Sequence, residues 1–195
     1  MGFTSARERR LWILAGSCLL LIYSSLYIAR PVTNWLRDAN LLRLAVAGAF
    51  LLAAAWVGLG LLRSRPGWRV WVALAGIVAG YVVLLSRFDL PEERLHFLEY
   101  GLVGGLLFTA LLERQKNTRG ESGEPSSRRA FLWPAVGAFV MTGLAGWIDE
   151  WIQAVLPNRF YDLRDVAMNA AGGALAVLSI WGLDLLRQIG ERPRA

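Results

Sequence analysis

Three short groups of ionisable and amide side chains stand out in an otherwise apolar chain. His96, Glu99 and Tyr100 open one apolar stretch, Asp149, Glu150 and Gln153 close another, and Asp165 and Asn169 open a third. His96 and Tyr100 are four residues apart and Glu99 is three from His96, so all three fall near one face of a helix. Asp149 and Gln153 share a face by the same rule, with Glu150 about 100° round the axis. Between the second and third groups runs a short segment holding Pro157, Arg159 and Asp162.

Each group has a chemical and a structural reading. His96 is a candidate general base, proton relay or metal ligand, and equally a hydrogen-bonded packing residue. Asp149 and Glu150 suit an acid/base pair, or with His96 the oxygen-rich ligation of a divalent cation, the one cofactor these residues suggest. The alternative is a carboxylate pair at a helix end, held by Arg159 or exposed to water. Arg159 has the planar fork that recognises phosphate or carboxylate, or it neutralises Asp149 or Asp162 internally. Asp165 begins a helix, where a carboxylate caps free amides. Asn169 lines the site or, with Gly172, lets helices meet closely. Glu99, Tyr100, Gln153, Arg159, Asp162, Asp165 and Asn169 form the candidate binding set, and His96, Asp149 and Glu150 the candidate catalytic set. Acids outnumber Arg159, Arg164 and His96, so shared protons, a bound cation or exposure must serve the remainder. No nucleophile motif, phosphatase signature or strong metal-ligand spacing accompanies them.

The elements that position these groups follow from hydropathy. The chain has 195 residues, of which 55% are hydrophobic and 18% charged. Leu11 to Ala29, Leu44 to Leu62, Val70 to Ser86, Ala130 to Ile148 and Val166 to Leu183 are free of charged side chains, and Leu95 to Leu112 carries only His96 and Glu99 near its start. A helix rising about 1.5 Å per residue needs roughly 20 such residues to cross about 30 Å of hydrocarbon. Lipid cannot satisfy open backbone groups, so helices are the expected form. The spacing predicts helices over 10–29, 42–62, 69–87, 95–113, 131–155 and 165–187, broken at Arg30-Pro31, Arg65-Pro66-Gly67 and Leu90-Pro91. The fold class is all-α: a polytopic integral membrane helix bundle of about six spans, read as a single domain over 1–195. The first span is read as an uncleaved anchor, for no convincing cleavage site follows it. The single Cys18 permits no intrachain disulfide.

Orientation comes from the basic residues. With the amino terminus inside, two thirds of the 21 Lys and Arg residues fall in inner segments, while most acids fall outside. Both termini are therefore expected to be cytoplasmic. The net charge of +6 reads as orientation and contact with anionic lipid rather than nucleic-acid binding. This orientation places all three polar groups on the outer side. Most tryptophans fall at span ends, while Trp56 sits deeper and is expected to pack between helices. The polar stretch from Arg114 to Arg129 reads as a mobile cytoplasmic connector, with a docking segment as the alternative.

His96-Phe97-Leu98-Glu99-Tyr100, then Asp149-Glu150-x-x-Gln153, then Pro157-x-Arg159-x-x-Asp162-x-x-Asp165-x-x-x-Asn169-x-x-Gly172 resemble the signature of VanZ-like membrane proteins. The resemblance covers about 92–183, with Tyr23-Ser24-Ser25 as a weaker echo, and leaves helices over about 10–87 as an addition to that core. The family is named for a protein linked to resistance against teicoplanin, a lipid-tailed glycopeptide. The resemblance implies a bacterial cytoplasmic (inner) membrane location and an extracytoplasmic site that engages an amphiphile, either an envelope lipid, a lipid-linked envelope precursor or a lipid-tailed glycopeptide. Two other classes stand beside it: an enzyme acting on a lipid-linked phosphate or glycan, and an accessory subunit of a larger membrane complex. An ion-coupled transporter fits less well, because the polar set stays near one end of the spans.

Overall fold

The computed structural model describes residues 2–88, 91–122, 129–157, 159 and 161–190, with the side chains of 91–93, 120–122, 129–130 and 187–190 left aside. Six helices account for nearly all of it: α1 (Ala6–Asp38), α2 (Leu42–Ser64), α3 (Trp68–Leu85), α4 (Pro91–Ser122), α5 (Arg129–Val155) and α6 (Leu163–Gly190). All six are long and apolar enough to cross a membrane. The expected all-α, six-span architecture is therefore what the chain adopts, and no strand occurs among the described residues.

The boundaries differ from expectation in two places. Helix α1 does not stop before Pro31 but runs through it to Asp38. A proline removes one backbone donor, a loss that spanning helices tolerate when neighbouring groups re-satisfy the freed backbone. Helix α4 likewise continues beyond its apolar run to Ser122, so Arg114–Ser122 is helical rather than a loose connector. Residues 123–128 of that stretch, and Leu90 of the Leu90-Pro91 break, lie outside the described residues; Pro91 itself opens α4. The break at Arg65-Pro66-Gly67 is present. Arg65 takes a left-handed φ of 45° and its N–H returns to the carbonyl of Leu62, closing α2.

The packing divides into two compact units. One comprises Met1–Arg30 and His96–Val177, the other Pro31–Leu95 and Leu178–Ala195. The first unit holds the segments that bury most: 39% of the apolar window of α4 is buried, against 11% in each of α1, α2 and α3. Its core is made by Val103, Leu107, Phe108 and Ala110 of α4, Ala138 and Ala145 of α5, and Met168 and Val177 of α6. Phe108 meets Phe131 edge to face at 5.3 Å.

Glycines set the closeness of this core. A Cβ on Gly104 would lie 2.6 Å from the Cα of Gly173, and one on Gly172 would lie 3.1 Å from the backbone of Phe97. Helices α4 and α6 thus meet backbone to backbone, the small-residue contact by which membrane helices associate. In the second unit the glycines of α2 and α3 have open space around them. Trp56 of α2, expected to pack between helices, is instead 65% exposed. A deep position along a span does not imply a buried one when hydrocarbon itself is the solvent.

Candidate functional site

Helix α5 is apolar outside and polar inside. Its buried positions include Ala138, Thr142, Ala145, Asp149, Glu150 and Gln153, recurring at helical spacing, while Val136, Val140, Leu144, Trp147, Ile148 and Trp151 are exposed. This reverses the water-soluble pattern and is what a helix does when its outer face meets lipid and its inner face carries polar work. Asp149, Glu150 and Gln153 are all almost fully buried.

These side chains converge at the end of the first unit where α4 begins, α5 ends and α6 begins. Gln153 is the junction: its Nε2 donates to Asp149 Oδ2 at 3.3 Å and to Glu150 Oε1 at 3.1 Å, and its Oε1 accepts from Arg159 Nη1 at 3.1 Å. Glu150 spends its other oxygen on the backbone, accepting the N–H of Asp162 at 2.8 Å. Asp162 in turn accepts the N–H of Arg164 at 2.8 Å through Oδ1. That contact and the backbone bonds from Asp165 and Val166 to the Asp162 carbonyl make Asp162 the amino-terminal cap of α6.

Capping, the role expected of Asp165, thus belongs to Asp162. Freed from that task, Asp165 stands 3.9 Å from His96 Nε2 across the α4–α6 contact. His96 also lies within electrostatic reach of Glu99, Asp149 and Glu150. Arg159, expected to neutralise Asp149 or Asp162, has Gln153 as its hydrogen-bond partner among the described residues. Burial and the nearby like charge of Arg30 hold the Arg159 guanidinium below the usual arginine range, while Asp149, Glu150 and Asp165 pull the other way. It stays cationic, since arginine starts so high.

Several buried atoms at this end have no hydrogen-bond partner among the described residues: Asp149 Oδ1, His96 Nδ1, Arg159 Nε, and both polar atoms of Asn169. Asn169 is 0% exposed. Its side chain lies against Gly146, where an added Cβ would come within 2.6 Å of the Asn169 Cβ. Gly146 sits three residues before Asp149, so the amide is placed beside the carboxylate's own turn of α5. A buried amide left unsatisfied costs free energy, which makes this group a feature that calls for a partner.

The structure therefore brings His96, Glu99, Tyr100, Asp149, Glu150, Gln153, Arg159, Asp165 and Asn169 into one neighbourhood, with Asp162 at its exposed rim. Among the described residues no group of three or more His, Cys, Asp or Glu side chains is arranged to hold a metal ion, so His96, Asp149 and Glu150 share the neighbourhood without forming a ligand set. Two contributors were barely legible from sequence. Tyr23 of α1 donates to the carbonyl of Ala145 at 2.8 Å, and Tyr100 approaches that same carbonyl at 3.5 Å. Arg30, near Arg159, looked like an ordinary loop charge.

A second polar cluster lies at the opposite end of the same unit. Glu8, fully buried, accepts from Thr4 N and Oγ1, each at 2.6 Å, from Trp12 Nε1 at 3.3 Å and from Arg114 Nη1 at 3.4 Å. Arg7 pairs with Glu113 at 3.5 Å. The signal was present in Ser5-x-x-Glu8, a capping-box spacing, and Ser5 Oγ does accept the Glu8 N–H at 3.0 Å. Every oxygen of Glu8 is engaged, so this cluster reads as a fastening of α1 to α4.

Comparison with protein-family models, with curated proteins and with solved structures yields no match to this chain.

Proposed function

We propose that this is a VanZ-like protein of the bacterial cytoplasmic membrane, with both termini inside, that binds an amphiphile at the outer interface. The candidates are a membrane lipid, a lipid-linked envelope precursor or a lipid-tailed glycopeptide. The observation that carries the reading is the inverted face of α5. Asp149, Glu150 and Gln153 are buried where a spanning helix would ordinarily bury apolar groups, and Arg159 is fastened to them through Gln153. Ionisable groups at such depth are costly and are kept where they serve a ligand or a pathway.

The apolar half of an amphiphile also has a place. Trp147, Ile148, Trp151 and Val155 form an exposed apolar face of α5, round the helix from the carboxylates. Trp151 packs edge to face against both Trp147 and Tyr161, an aromatic array of the sort found at head-group level. An acyl tail lying along this face would leave its head group at the end of α5, where the turn that carries Arg159 begins.

The test is lipid and metal analysis of the purified protein beside an Arg159→Ala variant. The reading expects a bound amphiphile that the variant loses. An identical complement in both proteins removes the head-group role of Arg159.

One observation favours a second reading. The nearness of His96 to Asp165, with Nδ1 unpartnered among the described residues, suits a base held by a carboxylate in hydrolysis or transfer on a lipid-linked phosphate or glycan. Turnover abolished by His96→Ala in a folded protein would support it, and absence of turnover by the unaltered protein would end it.

A further inference from the structure

Resting on the head-group reading above, the character of the site narrows the ligand class. Glu99, Asp149, Glu150 and Asp165 all lie within electrostatic reach of one imidazole, His96, and the arginine sits off the helix, in the turn between α5 and α6. A purely anionic head would meet Arg159 favourably and then face this excess of carboxylates. Among the described residues two buried acceptors on neighbouring helices have no hydrogen-bond partner, Asp149 Oδ1 and Asn169 Oδ1, and the one unpartnered donor of the arginine, Arg159 Nε, lies in the turn beyond them; Asn169 as a whole is 0% exposed. Glu150, by contrast, has both oxygens taken. Two free acceptors beside an excess of carboxylates suit a compact cation with several N–H donors. A primary ammonium has three such donors and a single positive charge.

We propose that the site takes a zwitterionic aminophosphate, with the ammonium seated on Asp149, Asn169 and Glu99 and the phosphate on Arg159. The order follows from the chain: Asp149 and Asn169 lie within α5 and α6, whereas Arg159 belongs to the turn beyond both helices. A quaternary ammonium has no N–H to donate and cannot satisfy the amide and carboxylate oxygens. A glycerol head offers hydroxyls but no charge to offset the acids.

The experiment uses the full chain, stripped of lipid in detergent and mixed with equal amounts of dioleoyl phosphatidylethanolamine, phosphatidylcholine and phosphatidylglycerol, with retained lipid counted by native mass spectrometry. Retention of the ethanolamine lipid about tenfold above either competitor is expected, the scale of one charge-assisted hydrogen bond. Asp149→Asn should abolish its advantage over the choline lipid, and Asn169→Ala should reduce it, each in protein whose melting confirms folding. Arg159→Ala should lower all three alike. Preferential retention of phosphatidylglycerol, released by Arg159→Ala, overturns the ammonium seat and leaves the head-group reading in place. Retention that none of the substitutions alters overturns both. Glycerophosphoethanolamine, which has no tail, separates the sources: competition at equal concentration assigns the site to a free aminophosphate, and failure to compete assigns it to the lipid.

Discussion

Glu150 and Asp162 are joined across the turn between α5 and α6, the buried carboxylate accepting the backbone N–H of the residue that caps the next helix at 2.8 Å. One side chain therefore ties the polar interior to the start of α6. Gln153 adds a second tie, because it binds Glu150 on one side and Arg159 on the other.

The first prediction concerns that link. Glu150→Ala removes two hydrogen bonds to a buried carboxyl and should cost about 2–4 kcal/mol of stability. Glu150→Gln keeps one acceptor for the Asp162 N–H and should cost less. Thermal unfolding in detergent measures both, and equal losses would show that the backbone contact contributes nothing.

Helix contact supplies the second. Gly104→Ala puts a Cβ 2.6 Å from the Cα of Gly173, which neither backbone can yield cheaply. A loss of about 1–3 kcal/mol is expected, as for overpacked cores. Gly76→Ala, with nothing within 4 Å, should be neutral or mildly stabilising. A melting series that ranks the two the other way would contradict the backbone contact.

Third, burial should separate two large aromatics. Phe108→Ala, at a position 0% exposed, is expected to cost about 3 kcal/mol. Trp56→Ala, 65% exposed, should leave the melting temperature within a degree or so of the parent, as surface changes do.

The fourth concerns orientation. In a Cys18→Ser background, Leu163→Cys at the start of α6 should react with an impermeant thiol reagent in intact cells. Gly67→Cys, before α3, should react only after the membrane is opened. The reverse pattern would invert the proposed sidedness and move the polar site to the cytoplasmic face.

The outline of the fold was legible because hydropathy reports directly on spanning helices, and α2, α3, α5 and α6 begin and end within a few residues of expectation. Polarity misled at the ends. Arg114 to Ser122 looked like a connector, yet a helix needs no lipid to continue, and Glu8 and Glu113 hold Arg114 and Arg7 at its base. Pro31 looked like a stop because proline lacks a donor, but one missing hydrogen bond is small against the rest of a 33-residue helix. At the site, helical spacing placed His96 with Glu99 and Asp149 with Gln153. It could not show which of Asp162 and Asp165 caps α6, since the two stand three residues apart at its start and only where the chain enters the helix decides. Tyr23 and Arg30 come from a helix distant in sequence, and no local pattern links them to α5.

The meeting of Gly104 with Gly173 limits how this protein can move. With main chain resting on main chain, no layer of side chains is available for α4 and α6 to ratchet across one another. A second such seam, Gly172 against the backbone of Phe97, sits one residue from His96, so the mouth of the polar site is held at a fixed width and an incoming head group has to fit the gap as it stands.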